Sequence, residues 1–133
     1  MILAEQIANY LFYLDMGIYS PNDNDGNIYI DLLPDGEQLI CLINRSGFQS
    51  DSKLGYTSAG IQLIYRGNKN PIDSFQVASD LHFSLHGFHD DVFCVGGNHI
   101  VSCFCQQGSP TFIGDTAQQK FEYSINLVID YKI

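Results

Sequence analysis

The stretch Phe121-Glu122-Tyr123-Ser124-Ile125-Asn126-Leu127-Val128-Ile129-Asp130-Tyr131-Lys132-Ile133 decides how the rest of the chain is read. Every odd position is apolar or aromatic, and Glu122, Ser124, Asn126, Asp130 and Lys132 alternate with them, interrupted only by Val128. A period of two predicts a β-strand with one dry face and one wet face. Run unbroken at about 3.3 Å per residue, it spans roughly 40 Å. That is longer than a small sheet needs, so part of it is expected to lie against a neighbouring subunit.

Working back from this strand, Gly108-Ser109-Pro110 opens a connection into it. Residues 92–95 and 99–106 are expected as two strands around Gly96-Gly97-Asn98, a turn that needs positive φ. Asn70-Pro71-Ile72-Asp73 reads as a helix start, with Asn as cap, Pro in the first turn and an acid facing the helix dipole. Phe75, Ala78, Leu81, His82 and Leu85 are its expected buried stripe, and Gly87 its end.

Ile61 to Arg66 is a further strand. Ile28, Ile30 and Leu32 alternate with Tyr29 and Asp31, Pro34 to Glu37 interrupts, and Leu39 to Ile43 is apolar on both faces. This predicts a hairpin whose second strand is central in the sheet. At the start of the chain Leu3, Ile7, Leu11 and Leu14 recur at helical spacing, with Glu5, Gln6, Asn9 and Asp15 on the other side. A helix over 2–16 that stops at Gly17 follows. The expected order is α-β-β-β-α-β-β-β in one domain, residues 1–133. Its class is α+β, with two helices packed on one face of a mostly antiparallel, or mixed, sheet of about five to six strands.

A chain of 133 residues can bury roughly two thirds of its unfolded surface in one core. Fifteen acidic residues against six basic ones give a net charge of −9. With no Lys/Arg cluster, a grip on nucleic acid through phosphates is not expected. The N-terminus has no basic, then apolar, signal-peptide pattern, and no run approaches the ~20 apolar residues of a membrane span. The expected setting is a cytoplasm, with the four cysteines as free thiols serving as small hydrophobes.

Candidate chemistry is sparse. Residues 20–27 resemble a calcium loop in which Asp23 and Asp25 take the third and fifth ligand positions. Pro21 and Leu32, however, stand where oxygen ligands are required, so a solvated loop is expected. His99, Cys103 and Cys105, on one face of a predicted strand, with Cys94 across the hairpin, have the donor types of a zinc site. Alternate positions in a strand hold the two sulfurs roughly 7 Å apart, unlike a Cys-x2-Cys knuckle, so core thiols are the expectation. His82 and His86 lie one helical turn apart, but Phe83 occupies the place of the glutamate in a metalloprotease helix. No phosphate loop is present, and no catalytic residue, cofactor or metal is expected. Residues 44–60 read as a long loop with Phe48, Leu54 and Tyr56 scattered through it. Both a binding loop and an irregular surface loop fit.

Three patterns carry a family resemblance: Ile61-Gln62-Leu63-Ile64-Tyr65-Arg66; Phe75, Ala78 and Leu81 leading to Leu85-His86-Gly87; and Pro110-Thr111-Phe112-Ile113-Gly114-Asp115 followed by Tyr123-Ser124-Ile125-Asn126. Together they resemble the small tail-terminator or tail-completion proteins of long-tailed bacteriophages, often labelled minor capsid proteins. The resemblance implies a structural virion protein rather than an enzyme. It would form a homo-oligomeric ring, a hexamer, on the head-proximal end of the tail tube, stop polymerisation, and offer the head-tail joining surface. The implied partners are further copies of the chain, the tail tube protein and the head-tail connector or neck protein. DNA would slide through an acidic lumen without specific binding, and no membrane is involved. Candidate lumen or interface residues are Asp23, Asp25, Arg45, Phe48, Asp51, Lys53, Tyr56 and Asp115. The alternatives are a neck or head-closure protein and, more distantly, a small cytosolic enzyme or ligand-binding domain.

Overall fold

The computed structural model describes residues 2–21, 25–45, 56–90, 98–115 and 120–132. Its elements in chain order are α1 (Leu3–Tyr13), β1 (Ile28–Ile30), β2 (Leu39–Arg45), β3 (Tyr56–Arg66), α2 (Pro71–Leu85), β4 (Phe88–Asp90), β5 (Ile100–Cys105), β6 (Thr111–Asp115) and β7 (Phe121–Lys132). The strands form a single sheet in the order β1-β2-β3-β7-β5-β4, with β6 also on β7. β3 occupies one edge of β7 throughout, so β5 and β6 lie end to end along the other. Seven strands therefore fill six positions, and the α+β class is as expected.

Both helices pack on one face. Ile7 and Leu11 of α1 and Ala78, Leu81 and Leu85 of α2 join Ile40, Leu42, Leu63, Ile125, Leu127 and Ile129 in one buried cluster. These sheet residues are cross-strand partners or alternate along their strands, so they share a face. Tyr10 of α1 stacks on Phe88 of β4 with ring centroids 3.9 Å apart.

The hairpin expected from residues 28–43 is not formed: β1 and β2 run parallel, Ile28 opposite Ile40 and Ile30 opposite Leu42. Asp31, with φ 56°, turns the chain off β1. Its carboxylate accepts from both the main-chain N–H and the side-chain amide of Asn44, each at 2.9 Å, and these bonds hold it below the usual carboxylate range. The chain then returns across the helix-free face, where the Pro34 carbonyl accepts from Arg66 Nη1 at 2.7 Å. Alternation reports which face a side chain occupies and is blind to strand direction, so both topologies fit the same pattern.

The closing strand also departs from expectation. It is central, and both of its edges are paired inside the subunit, so its length is used within the sheet. Ser124 and Val128 on its expected wet face are buried. β3 begins at Tyr56, and its first five residues, expected in a loop, instead pair with Val128 to Lys132 of β7. The strand expected at 92–95 and the two glycines of its turn lie outside the described residues; β4 precedes them, and β6 forms within what was expected to be a connection.

Helix ends follow local chemistry. Asn70 Oδ1 accepts from the N–H groups of Ile72 and Asp73, and Gly87 closes α2 at φ 83°. α1 ends before Gly17: Asp15 adopts φ 61°, its N–H donates to Phe12, and that of Met16 donates to Leu11. These are the paired bonds of a Schellman cap, with Asp in the place usually held by glycine. Gln6, expected on the wet side of α1, is fully buried. Its amide donates to the Asn98 carbonyl at 2.8 Å and accepts the Asn98 N–H at 2.7 Å, joining α1 to the approach of β5 as one peptide group joins another.

The stripe of α2 contains Ser74 rather than Phe75. Gly67 approaches Ser74 so closely that a Cβ there would lie 2.4 Å from Ser74 Cβ and 3.1 Å from its Cα. Ser74 Oγ also accepts the Asn68 N–H at 3.1 Å. Gly67→Ala therefore forces main chain against main chain. It is expected to destabilise the fold by about 1–3 kcal/mol, read as a lowered Tm by calorimetry, and an unchanged Tm would contradict this packing.

Candidate assembly surface

On α2 the buried centre of the wheel, Ala78, Leu81 and Leu85, places Ile72, Gln76 and Phe83 on the opposite side. Phe83 is 85% exposed and Ile72 78%. Phe75, at the margin of this face, packs its ring against Tyr123 at 5.8 Å. Phe112 of β6 packs against the same Tyr123 at 5.7 Å and against Phe121 at 6.2 Å. Phe112 and Ile113 are themselves about half exposed. An aromatic surface thus runs from β6 onto α2. Exposed apolar groups gathered on ordered elements mark contact with other proteins. The wheel alone was sufficient to find Phe83 and Ile72, while the Phe75–Tyr123–Phe112 contacts required the sheet.

The helix-free face is a polar lattice. Arg45 donates to Gln62 Oε1 from Nε at 3.1 Å and also from Nη2, and Gln62 donates to Ser124 Oγ at 2.9 Å. Arg66 and Glu122 form an ion pair at 3.1 Å. Ser58 and Ser102, on strands flanking β7, both donate to Asp130. A depression of about 130 Å³ lies among Arg45, Gly60, Asn126 and Val128. Gln107 completes the lattice where β5 ends and β6 has yet to begin, its amide accepting the Asn126 N–H at 3.0 Å and donating to the Ser124 carbonyl at 3.2 Å.

Of the candidate residues, Arg45 sits on this lattice and Asp25 is exposed beside the loop that follows α1. Tyr56 and Asp115 lie at the start of β3 and the end of β6. Asp23, Phe48, Asp51 and Lys53 lie outside the described residues. Nothing among the described residues gathers Asp25, Arg45, Tyr56 and Asp115 into one cluster: Arg45 is opposite Gly60 on β2–β3, and Asp115 is opposite Phe121 at the far end of β7.

The thiol and histidine chemistry is absorbed by the core. A bulge between Ile100 and Ser102 shifts the alternation, so that Ile100 rather than His99 shares the buried face with Cys103 and Cys105. Burial pushes the Cys103 thiol up to about 12, with a smaller contribution from Cys105, and the Cys105 thiol up to about 11. Among the described residues no group of His, Cys, Asp and Glu could hold a metal ion, and Cys94 lies outside them. His86 Nδ1 accepts the Cys105 N–H at 3.0 Å, and His82 Nε2 donates to the Gln107 carbonyl at 2.7 Å. Both rings dock the end of α2 onto the sheet where β4 no longer pairs with β5.

This arrangement defines a structural module whose accessible chemistry is contact with other proteins. A family model described as bacteriophage tail terminator protein matches residues 10–133. The chain belongs to that family, and its role is structural, in the phage tail of the virion. No curated protein matches it. No described helix is long and apolar enough to cross a membrane.

The buried thiols carry a sign. Unfolded cysteines ionise near their ordinary value of about 9, while Cys103 and Cys105 stay protonated to about 11–12 in the fold. Their contribution to stability is complete below pH 9 and is lost as pH rises through the folded values. Folding free energy measured by denaturant titration is expected to fall between about pH 9 and pH 11 and to fall less in a Cys103→Ala, Cys105→Ala double variant; equal slopes would contradict the burial of these thiols.

Proposed function

We propose that this chain ends the tail. Copies assemble as a six-fold ring on the head-proximal end of the completed tail tube, stop its polymerisation, and present the surface to which the head-tail connector joins. Assembly takes place in the host cytoplasm before the ring becomes part of the virion. The family match over nearly the whole chain carries this reading.

The surface chemistry supports it. A ring needs two different contact surfaces on each subunit, and a protein that must also meet a tube and a connector needs more. Phe83, Ile72, Phe112 and Ile113 provide exposed apolar area on ordered elements. The net charge of −9 suits a lumen through which DNA slides without adhering. Asp23, Asp25, Asp51 and Asp115 are the proposed lumen or joint-facing acids, and Arg45, Phe48, Lys53 and Tyr56 the proposed contacts to the tube or to neighbouring copies.

The test is negative-stain electron microscopy of the purified protein mixed with the tail tube protein of the same phage. Rings, or tubes capped at one end and held at constant length, are expected; tubes that keep growing beside free subunits would refute the proposal. Phe83→Ser should leave stability within about 0.5 kcal/mol, as for an exposed site, while reducing capping or joining to the connector. Full capping and joining by that variant would remove Phe83 from the contact surface.

A further inference from the structure

Two outer edges of the sheet, β1 and β6, expose main chain in opposite directions. On one side is β1. Asn27, Tyr29 and Asp31 direct their main-chain groups toward β2, as the bonds from Ile40 to Asn27 and from Asp31 to Leu42 show. Ile28 and Ile30 therefore face outward. Ile28 N–H donates back to the Ile18 carbonyl, but the N–H and C=O of Ile30 have no hydrogen-bond partner among the described residues. Beside them runs a groove of about 260 Å³ lined by Tyr19, Pro21, Ile28, Ile30 and Leu32, with Leu32 60% exposed.

On the other side is β6. Phe112 stands opposite Tyr123. The Gly67 N–H donates to the Phe121 carbonyl on the β3 side of β7, and by alternation Tyr123 also pairs toward β3. The main-chain groups of Phe112 are thereby turned outward, away from β7, and they too have no partner among the described residues. Residues 110–114 and 26–30 are uncharged in a chain of net charge −9. Natural edges are commonly protected by charged side chains; here the acids, Asp31 after β1 and Asp115 ending β6, stand at the strand ends rather than along them.

We propose that β6 of one copy of this chain pairs with β1 of the next, its exposed Phe112 or Ile113 entering the groove beside Ile30. The inference rests on the ring reading above and names the contact that would build it. The occupant is a second copy because the two edges are complementary. One presents apolar side chains and the other a recess walled in part by Tyr19, Pro21, Ile28, Ile30 and Leu32, each offers main-chain groups to a strand, and the central residues of both are uncharged in a chain of net charge −9. Because the edges lie on opposite sides of the sheet, the contact is head-to-tail, the type that closes into a ring.

The test uses the full chain with the cognate tail tube protein, mixing isotopically labelled and unlabelled copies, with a photo-crosslinking residue at Phe112. Crosslinks to residues 19–21 or 25–32 of another copy are expected. Within one copy those residues lie four strand spacings away, roughly 19 Å at about 4.8 Å each. Ile30→Pro removes the outward N–H, a change tolerated at an edge, together with the Ile30 side chain's packing against the core. It should preserve the fold by circular dichroism while reducing assembled rings by about tenfold or more. If that variant does not fold, Phe112→Ser provides the same comparison at an exposed side chain. Rings whose Phe112 crosslinks map elsewhere, or folded variants that assemble normally, overturn this contact and leave the ring reading intact. If the unmodified chain forms no ring on tubes, both are overturned.

Discussion

The pairing of β7 is the constraint on which the rest of the structure depends. Its register against β3 runs unbroken from Tyr56–Lys132 to Arg66–Glu122, and its other edge is shared by β5 and β6. Antiparallel pairing of that length fixes the twist of the sheet and divides its side chains into two faces. Tyr123, Ile125, Leu127 and Ile129 then form the floor on which α2 lies, and the matching positions of β3 and β2 extend that floor beneath α1. A slip of one residue would move the whole apolar set to the other face.

Where the strands do not reach, side chains take over the role of main chain. Gln6 pairs with the peptide of Asn98, Gln107 bridges β7 between the end of β5 and the start of β6, and His86 receives the Cys105 N–H beyond β4. Each satisfies a main-chain group that would otherwise be left unpaired next to the core, a loss of about 1–3 kcal/mol apiece. Three amide or imidazole side chains thus allow short strands to be joined into one sheet. His82 acts likewise, donating to the Gln107 carbonyl.

The two faces of the sheet differ in kind. The helix face is dry and holds the inert thiols of Cys103 and Cys105. The opposite face is a lattice of Arg45, Gln62, Ser124, Arg66, Glu122 and Asp130, partly roofed by the crossing segment that ends β1 and begins β2. Exposed apolar side chains lie on the outside of α2 and along β6, and others on α1 and β5, among them Tyr13 and Phe104. A structural protein of the phage tail needs ordered apolar surface of this kind to meet its neighbours, and the family to which the chain belongs gives that surface a setting.

Local periodicity and capping chemistry by themselves determined the two helices, the start of α2 at Asn70-Pro71, the strand character of residues 28–30, 39–43, 61–66 and 121–132, and the burial of Cys41, Cys103 and Cys105. These depend on neighbours within a few residues, and the sequence carries them directly. The motifs spread from Ile61 to Asn126 also made the family legible, and residues 10–133 match its model. Strand direction and the sharing of edges were decided only by tertiary structure. The parallel β1–β2 pair depends on the clamp between Asp31 and Asn44, the burial of Gln6 on Asn98 far along the chain, and the central place of β7 on which strands come to either side of it. Of the candidate site, Asp25, Arg45, Tyr56 and Asp115 could be named from residue type, yet their separation follows from the register of the sheet. Alternation gives each residue a face; which strand lies across from it is set by long-range pairing, and no local pattern encodes that.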